Sequence, residues 1–302
     1  MVALLSGGTG GAKLARGLID ELGPRELSVI ANTGDDVEVY GVHVSPDPDL
    51  VTYWRADMID ERGYGIRGDT WEVMAALEDA GRDTWFRLGD RDLAMCLIRT
   101  DLLQAGERLT DAHAAVVRAM GVGAEVLPMS DEPVRTHIQS GGRRLSLQEF
   151  MILGRGAGPV EAVELEGADA APPSPDVLDA IARADVIAIG PSNPIASIGP
   201  ILELPGMRTA LEDAAAPVVA VSPFVGGRVL KGPTELFCAH AGVELSAQGI
   251  ADHYGELLDG LVADEPAEGP VVAQLDTLMD DVWGRRRVAE AVLELAADLA
   301  AG

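Results

Sequence analysis

The chain has 302 residues, 47% of them hydrophobic, and its 49 acidic and 23 basic side chains leave a formal charge of −26. This balance disfavours binding of nucleic acid or an anionic membrane through a basic patch. The apolar runs are short and no signal-peptide pattern is present, so no membrane span is predicted and the cytoplasm is the default location. Because the hydrophobic content argues against disorder, the acidic excess predicts a salt-rich cytoplasm, as in a halophile.

The chain opens on the pattern of a buried strand, a glycine-rich turn and a helix. Val2–Leu5 is apolar, and a helical stripe of leucines predicts a helix over 12–22. Glycines permit a close approach of a diphosphate, a helix N-terminus attracts anions, and Lys13 adds a positive charge. The turn matches neither a P-loop nor a dinucleotide fingerprint, since Ala12 and Lys13 stand where each motif needs glycine. An anion-binding turn is predicted, with a tight turn that binds nothing as the alternative.

Two acidic motifs follow strand-like segments and predict a site for a hard cation. Asp35 and Asp36 follow the second predicted strand, at the end where open α/β sheets place their chemistry. Asp47 and Asp49 follow strand-like Val42–Ser45, and an extended backbone there would point both carboxylates to one side. Carboxylate oxygens suit Mg²⁺. Solvated carboxylates in a proline-rich turn are the alternative.

Residues 50–94 hold a cluster of aromatic residues and then a charged motif, Leu88–Ala94. The aromatic residues suit either a flat ligand or the core of a small subdomain. In the motif, Asp90 could cap the helix that follows. Asp90 and Asp92 around Arg91 predict either a structural salt bridge or a guanidinium held for phosphate.

The order of predicted elements indicates an α/β protein with a mostly parallel open sheet flanked by helices, the whole chain forming a single domain. Mixed strands over 125–166 interrupt the alternation, so an inserted smaller α+β subdomain is predicted at 121–170. The alternation then returns, and three prolines and two glycines give Gly190–Pro200 the composition of a rigid recognition loop. Ser192 and Asn193 offer neutral hydrogen bonds there.

A set of segments carries a resemblance to a known family. In chain order, they are 6–14, 32–36, 46–49 with Tyr53, 88–94, 128–131, 190–202 and 276–279. With these segments the chain resembles the 2-phospho-L-lactate transferases of coenzyme F-420 biosynthesis over nearly its whole length. Leu-Gly-Asp-Arg-Asp and Gly-Pro-Ser-Asn-Pro-Ile-x-Ser-Ile-Gly-Pro are specific motifs. The glycine turn is not, because a sister group of regulatory proteins that bind nucleotide sugars shares it.

The resemblance implies a reaction and an assembly. The ribityl hydroxyl of 7,8-didemethyl-8-hydroxy-5-deazariboflavin would attack lactyl-2-diphospho-5′-guanosine at the phosphorus that bears the lactyl group, giving coenzyme F-420-0 and GMP, with Mg²⁺ required. It also implies a Rossmann-like fold with an added subdomain, and a homodimer. A donor with an enolpyruvyl group is one alternative, and a nucleotide-sugar-binding regulator is the alternative from another class. Pro48 and Leu50 replace a leucine and a threonine common in the family, so a threonine contact is not expected.

The resemblance also assigns roles to residues by position. Asp35 and Asp49 would hold Mg²⁺, and Asp49, Asp90 and Arg91 would take part in catalysis. Asp49, Arg91 and Asp92 would face the deazaflavin. The guanosine diphosphate part would be bound by Gly7, Gly8, Thr9, Gly10, Gly11, Lys13, Ser192 and Asn193.

Overall fold

The computed structural model describes residues 1–123, 125–230 and 232–302. The strands are β1 (Val2–Ser6), β2 (Leu27–Ala31), β3 (Val37–Val39), β4 (Val42–Val44), β5 (Glu125–Pro128), β6 (Arg135–Ser140), β7 (Arg143–Ser146), β8 (Ala162–Glu166), β9 (Val186–Ile189), β10 (Val218–Val221), β11 (Phe224–Val225), β12 (Arg228–Val229), β13 (Gly260–Ala263) and β14 (Val271–Gln274). The α-helices are α1 (Gly8–Leu22), α2 (Pro46–Arg55), α3 (Glu72–Asp79), α4 (Asp90–Gln104), α5 (Leu109–Ala119), α6 (Leu147–Ile152), α7 (Pro175–Ala182), α8 (Gly199–Leu202), α9 (Met207–Glu212), α10 (Thr234–Ala241), α11 (Ala247–Tyr254) and α12 (Val282–Ala301). A π-helical turn covers Pro194–Ile198.

The described residues form a main sheet of seven strands in the order β14-β13-β10-β9-β1-β2-β5. All of its pairings are parallel. From the central strand β1 the chain continues to β2 and β5 on one side, and from β9 it continues to β10, β13 and β14 on the other. The sheet therefore reverses its winding between β1 and β9, as in doubly wound α/β folds.

Apolar side chains cover both faces of this sheet. Leu4 packs on one face with α1 and α12, whereas its neighbour Leu5 packs on the other face with α7, α8, α9 and α11. This alternation is the period of a strand, and both leucines are fully buried. Each such leucine contributes about 1.5–3 kcal/mol through burial. Among the described residues, none of the helices has the length and apolar character needed to cross a bilayer.

The strand predicted at the start of the mixed segment belongs to the main sheet. β5 pairs in parallel with β2, with Val126 opposite Val29, and both valines are buried. Within the described residues, the separate antiparallel sheet consists of β7, β6 and β8. The prediction that placed 125–128 in the insertion is therefore wrong, because burial pairs this strand with β2 rather than with its neighbours in sequence.

Candidate active site

The turn after β1 and the loop after β9 meet at the carboxyl ends of these neighbouring strands. The Gly7 backbone N–H donates to Ser192 Oγ at 3.3 Å. The Asn193 side chain caps the π-helical turn, since its Oδ1 accepts from the N–H groups of Ile195 and Ala196 at 2.9 and 3.0 Å. Where a doubly wound sheet reverses direction, the crevice beyond the strand ends is the usual ligand site.

Two glycines of the turn, Gly10 and Gly11, are required by packing. α1 begins at Gly8 rather than at Ala12 as predicted, so most of the turn is the first turn of the helix. A methyl group on Gly10 would overlap the Pro191 carbonyl oxygen, and one on Gly11 would overlap Ser6 Oγ. Helical geometry leaves the N–H groups of a first turn without intrahelical acceptors. The turn thus combines close contact with the 190–200 loop and a positively polarised helix end.

Asp47 lies against this helix end. Its Oδ1 accepts from the Gly8 N–H at 2.6 Å, and its Oδ2 accepts from Asn32 Nδ2 at 2.9 Å. Burial raises its pKa to about 6 against the opposing effect of these two hydrogen bonds. The extended backbone predicted here is wrong, because Pro46 begins α2. Residues two apart on a helix face different ways, so Asp47 and Asp49 have different partners.

Asp49 is paired with a buried arginine from α4. Both carboxylate oxygens accept from Arg99, each at 2.7 Å, and Arg99 is fully buried. Burial lowers the pKa of Arg99, but the charge of Asp49 and its hydrogen bonds outweigh this and raise it. The pair is a fork-to-fork contact between charged groups, the strongest hydrogen-bonding geometry for a carboxylate.

His113 on α5 adds to this pair in a fixed tautomer. Its Nδ1 lies 3.3 Å from Arg99 Nη1, and a guanidinium can only donate, so Nδ1 is the acceptor. The proton therefore sits on Nε2, which is 3.2 Å from Thr52 Oγ1, and Thr52 in turn donates to the Pro48 carbonyl at 2.8 Å. Burial lowers the pKa of His113 to about 3. The neutral ring thus links α4 and α5 to the start of α2.

Asp35 has one unpartnered carboxylate oxygen. Its Oδ2 accepts from Gln148 Nε2 at 3.1 Å, whereas the buried Oδ1 has no hydrogen-bond partner among the described residues. The residue is 7% exposed. Burial raises the pKa of Asp35 well above its ordinary value, and the charges of Asp47, Asp36 and Asp49 add to the effect. Asp36, Asp47 and Asp49 therefore lie within electrostatic range of Asp35.

Asp36 is held by other groups. Its Oδ1 accepts from Ser45 Oγ at 2.7 Å, and its Oδ2 lies 2.9 Å from His43 Nε2. The other ring nitrogen of His43 lies 2.6 Å from Glu38. Burial lowers the pKa of His43, but the hydrogen bond to Asp36 and the charges of both acids outweigh it and raise it.

Asp92 lies next to Asp49. Asp49, Asp92 and Cys96 each bring one potential ligand atom to within 4.8 Å of the others. Tyr53 donates to Asp92 at 2.7 Å, and burial, followed by the charge of Asp49, raises the pKa of Asp92 to about 7. Because Arg99 donates to both Asp49 oxygens and lies 3.7 Å from Cys96 Sγ, its positive charge already occupies one side of this group.

Asp90 lies at the start of α4 but caps α3 instead of the helix it begins. Its carboxylate accepts from the Thr70 hydroxyl at 2.5 Å and from the N–H groups of Glu72 and Val73 at 3.0 Å. These hydrogen bonds, the one from Thr70 foremost, lower its pKa. The neighbouring Arg91 is exposed and donates to the Arg67 carbonyl at 3.3 Å. The sequence prediction that Asp90 caps its own helix is wrong.

Lys13 is paired outside the glycine turn. Its Nζ lies 2.9 Å from Asp280, in the segment before α12. The 2.9 Å contact joins α1 to the end of the chain that carries the motif at 276–279. A diphosphate bound at the turn would compete with Asp280 for this lysine.

The structure brings most of the predicted residues to one region but adds residues that sequence reasoning missed. The glycine turn binds Ser192 through the Gly7 N–H and Asp47 through the Gly8 N–H. Asp49 on α2 lies next to Asp92 on α4. The missed residues share one property, a polar side chain with a hydrogen-bond partner that lies outside its own element. They are His43, Arg99, His113 and Gln148. Among these four residues, His43 is the one with a local sequence signal of burial, because it stands between two valines in β4.

Known proteins match this chain over nearly its whole length. Residues 2–280 match the family model described as 2-phospho-L-lactate transferase CofD. A phosphoenolpyruvate transferase of Kitasatospora aureofaciens is 41% identical, with 98% of this chain and 97% of the relative covered. A 2-phospho-L-lactate transferase of Methanosarcina mazei is 39% identical, with 96% and 99% covered.

Solved structures agree on the fold. A member of the UPF0052 family from Bacillus halodurans superposes with a TM-score of 0.62 at 19% identity, with 97% of this chain and 98% of that one covered. The Rossmann-like α/β fold is thus confirmed. By sequence match and by this architecture, the chain belongs to the CofD family of 2-phospho-L-lactate transferases and is a transferase.

Proposed function

We propose that this transferase moves a phospholactyl group from lactyl-2-diphospho-5′-guanosine to the ribityl hydroxyl of 7,8-didemethyl-8-hydroxy-5-deazariboflavin. The products are coenzyme F-420-0 and GMP. The enzyme acts with Mg²⁺ and as a homodimer. The relative from Methanosarcina mazei, named 2-phospho-L-lactate transferase, supports the phospholactyl group.

The observation that carries the proposal is the unpartnered Asp35 oxygen, which follows β2 at the same edge of the sheet as the N-terminus of α1. Asp35 Oδ1 is buried without a partner among the described residues. A lone carboxylate oxygen in a cluster of acids is costly unless a cation or proton compensates it. A helix N-terminus nearby favours the opposite charge, that of a diphosphate. A cation and a diphosphate together satisfy both demands.

Asp35 and Asp49 differ in how freely their carboxylate oxygens could bind Mg²⁺. Asp35 offers a free hard oxygen, as magnesium sites require. Both Asp49 oxygens already accept from Arg99, so each retains one lone pair for a further contact. Asp35 is therefore the principal ligand in our proposal and Asp49 the second. When bound, the ion would neutralise charge on the diphosphate.

The chain's own residues would bind and orient both substrates. The first-turn N–H groups of α1, with Ser192, Asn193 and a Lys13 released from Asp280, would hold the guanosine diphosphate part. Exposed Arg91 would face the deazaflavin. Neither cysteine suits a covalent intermediate, because both are buried and burial raises the pKa of each thiol. Transfer would therefore be direct, with inversion at phosphorus.

Among the aspartates, Asp92 suits the proton acceptor better than Asp90. The Asp90 carboxylate accepts three hydrogen bonds, and its pKa is lowered. Asp92 accepts from Tyr53, and its pKa is raised to about 7. A general base works best with a pKa near the working pH.

A donor with an enolpyruvyl group is the second candidate. The relative from Kitasatospora aureofaciens, 41% identical to this chain, is named phosphoenolpyruvate transferase. The chemistry at phosphorus would be the same, because the donors differ only in the three-carbon acid. The crevice described above serves either donor.

The test is a direct assay with both donors. The protein is incubated with the deazaflavin, MgCl₂ and either the lactyl or the enolpyruvyl guanosine diphosphate ester, and the products are identified by mass spectrometry. We expect coenzyme F-420-0 and GMP from the lactyl donor. Product from the enolpyruvyl donor alone would establish the second candidate. Failure of both donors, with deazaflavin recovered unchanged, would refute the transfer reaction.

A further inference from the structure

Asp35 is held by a side chain from a different structural unit. Asp35 follows β2 of the main sheet, whereas Gln148 lies on α6, between β7 and β8 of the small antiparallel sheet. Gln148 Nε2 donates to Asp35 Oδ2 at 3.1 Å, across 113 residues of sequence. Within the described part of the chain, Gln148 is the only side chain that donates a hydrogen bond to the Asp35 carboxylate.

The helix that carries the donor has a defined start. The Ser146 hydroxyl accepts from the Glu149 N–H at 3.1 Å, and Glu149 accepts from the Ser146 N–H at 2.8 Å. This reciprocal capping box sets the first turn of α6, on which Gln148 lies. The cap therefore fixes the backbone from which Gln148 reaches Asp35.

A second contact joins the same two units next to Asp35. The Thr136 N–H on β6 donates to the Gly34 carbonyl at 2.6 Å. A methyl group on Gly34 would lie 2.6 Å from Thr136 Oγ1, so the loop after β2 packs closely on β6. The small sheet thus holds both the backbone before Asp35 and its side chain.

We propose that Gln148 is a positioning residue, which holds Asp35 by Oδ2 and leaves Oδ1 to bind the divalent cation. This inference rests on the proposed function for its cation and deepens it by naming the residue that orients the ligand. Burial and three neighbouring carboxylates act against a charged Asp35, so a neutral amide donor is the suitable support. A second acid would repel it, and a second cation would compete with the metal. Partners that hold metal ligands commonly contribute 10–100-fold to metal affinity.

The test compares two glutamines that make similar hydrogen bonds. Gln139 on β6 donates to Glu164 at 3.1 Å, also within the small sheet but away from Asp35. Gln148→Met and Gln139→Met each keep the side-chain length and remove the donor. Binding of Mn²⁺ is measured by electron paramagnetic resonance on the protein without substrates, and thermal melting confirms that both variants are folded.

We expect Gln148→Met to bind Mn²⁺ about 10–100-fold more weakly than the parent protein, and Gln139→Met to bind it equally well. In the transfer assay, a high Mg²⁺ concentration should restore turnover of Gln148→Met. Equal Mn²⁺ affinity in both variants, or no Mn²⁺ binding by the parent protein, would overturn the inference. Because Mn²⁺ binding is measured without either substrate, its result is independent of whether the proposed transfer occurs.

Discussion

Five aspartates around the crevice share one side-chain chemistry, but their partners give them different properties. Asp47 and Asp49 are held by hydrogen-bond donors, and Asp36 is held by Ser45 and His43. Asp35 has an unpartnered oxygen, and Asp92 accepts from Tyr53. Burial and charge therefore decide which acid can bind a cation, which can accept a proton and which is structural.

At the same scale, Asp92→Asn is expected to lower kcat about 10²–10⁴-fold, the usual contribution of a general base. Asp90→Asn should lower kcat much less, because the Asp90 carboxylate is engaged in capping α3. Both values are measured at saturating Mg²⁺ and deazaflavin. A loss of kcat in Asp90→Asn as large as that in Asp92→Asn would contradict the assignment of Asp92, rather than Asp90, as the proton acceptor.

Replacing Arg99 tests the buried ion pair. Arg99→Met should lower the free energy of unfolding by about 3–5 kcal/mol, because Asp49 would remain buried without a counter-charge. The double variant Arg99→Met with Asp49→Leu should regain much of this loss. Arg183 is the control, since its i,i+4 pair with Asp179 is 41% and 66% exposed and Arg183→Met should cost less than about 1 kcal/mol. Chemical denaturation gives these values, and equal losses at both arginines would contradict the argument.

The contacts of His43 predict a pH dependence of stability. Its pKa is raised in the folded state by Asp36 and Glu38 against the effects of burial and of the Arg99 charge. The stabilisation is therefore complete below the unfolded value, about 6.5, and is lost as the pH rises through the folded pKa. Relative to His43→Gln, the parent protein should lose stability in urea denaturation as the pH rises above about 6.5. Parallel stability curves for the two proteins would show that the ring makes no such contribution.

At the scale of elements, two helix ends are defined by side chains from other segments. Asp90 of α4 caps α3, and Asp47 of α2 accepts from the start of α1. The loop after β9 supplies Pro191, against which α1 packs through Gly10. Each of these contacts lies at an element boundary near the crevice, so the shape of the site depends on how the elements meet.

Gly10→Ala should displace the loop at 190–200, because the added methyl group would overlap the Pro191 carbonyl oxygen. We expect overpacking to cost about 1–3 kcal/mol of stability and GDP binding to weaken. Gly123→Ala is the control, since among the described residues no atom apart from its chain neighbours lies within 4 Å of the added methyl group. Thermal melting and GDP titration measure both effects. Unchanged GDP affinity in Gly10→Ala would show that this contact does not shape the nucleotide site.

At the scale of the whole molecule, the formal charge of −26 is expected to dominate behaviour in dilute buffer. Like charges on one globule repel over the Debye length, which is about 10 Å at 0.1 M salt and about 3 Å at 1 M. The buried acids of the crevice add to this cost. Stability is therefore expected to depend on ionic strength.

The protein should lose structure in dilute buffer and regain it in about 2 M KCl, where screening is nearly complete. Circular dichroism and thermal melting across a KCl series measure this. NaCl should act like KCl at equal ionic strength, because screening does not distinguish the two. The same spectrum and melting temperature at 0.05 M and 2 M KCl would contradict a salt-adapted protein.

Local patterns in the sequence were enough to predict the parallel α/β architecture. Apolar strands followed by turns place Gly7–Gly11, Asp35 and the 190–200 loop at strand ends, since parallel strands bring their carboxyl ends to one edge. Motif order was likewise enough to indicate the transferase family, which the family match confirms.

Only the tertiary structure decided the partners of the acidic residues. Asp49 meets Arg99 across 50 residues of sequence, and Asp35 meets Gln148 across 113. Sequence periodicity describes one element at a time and cannot show which element covers which. The extended form predicted for Asp47 and Asp49 failed for this reason. A helix beginning at Pro46 separates the two carboxylates, and burial against α1 and α4 gives each a different partner.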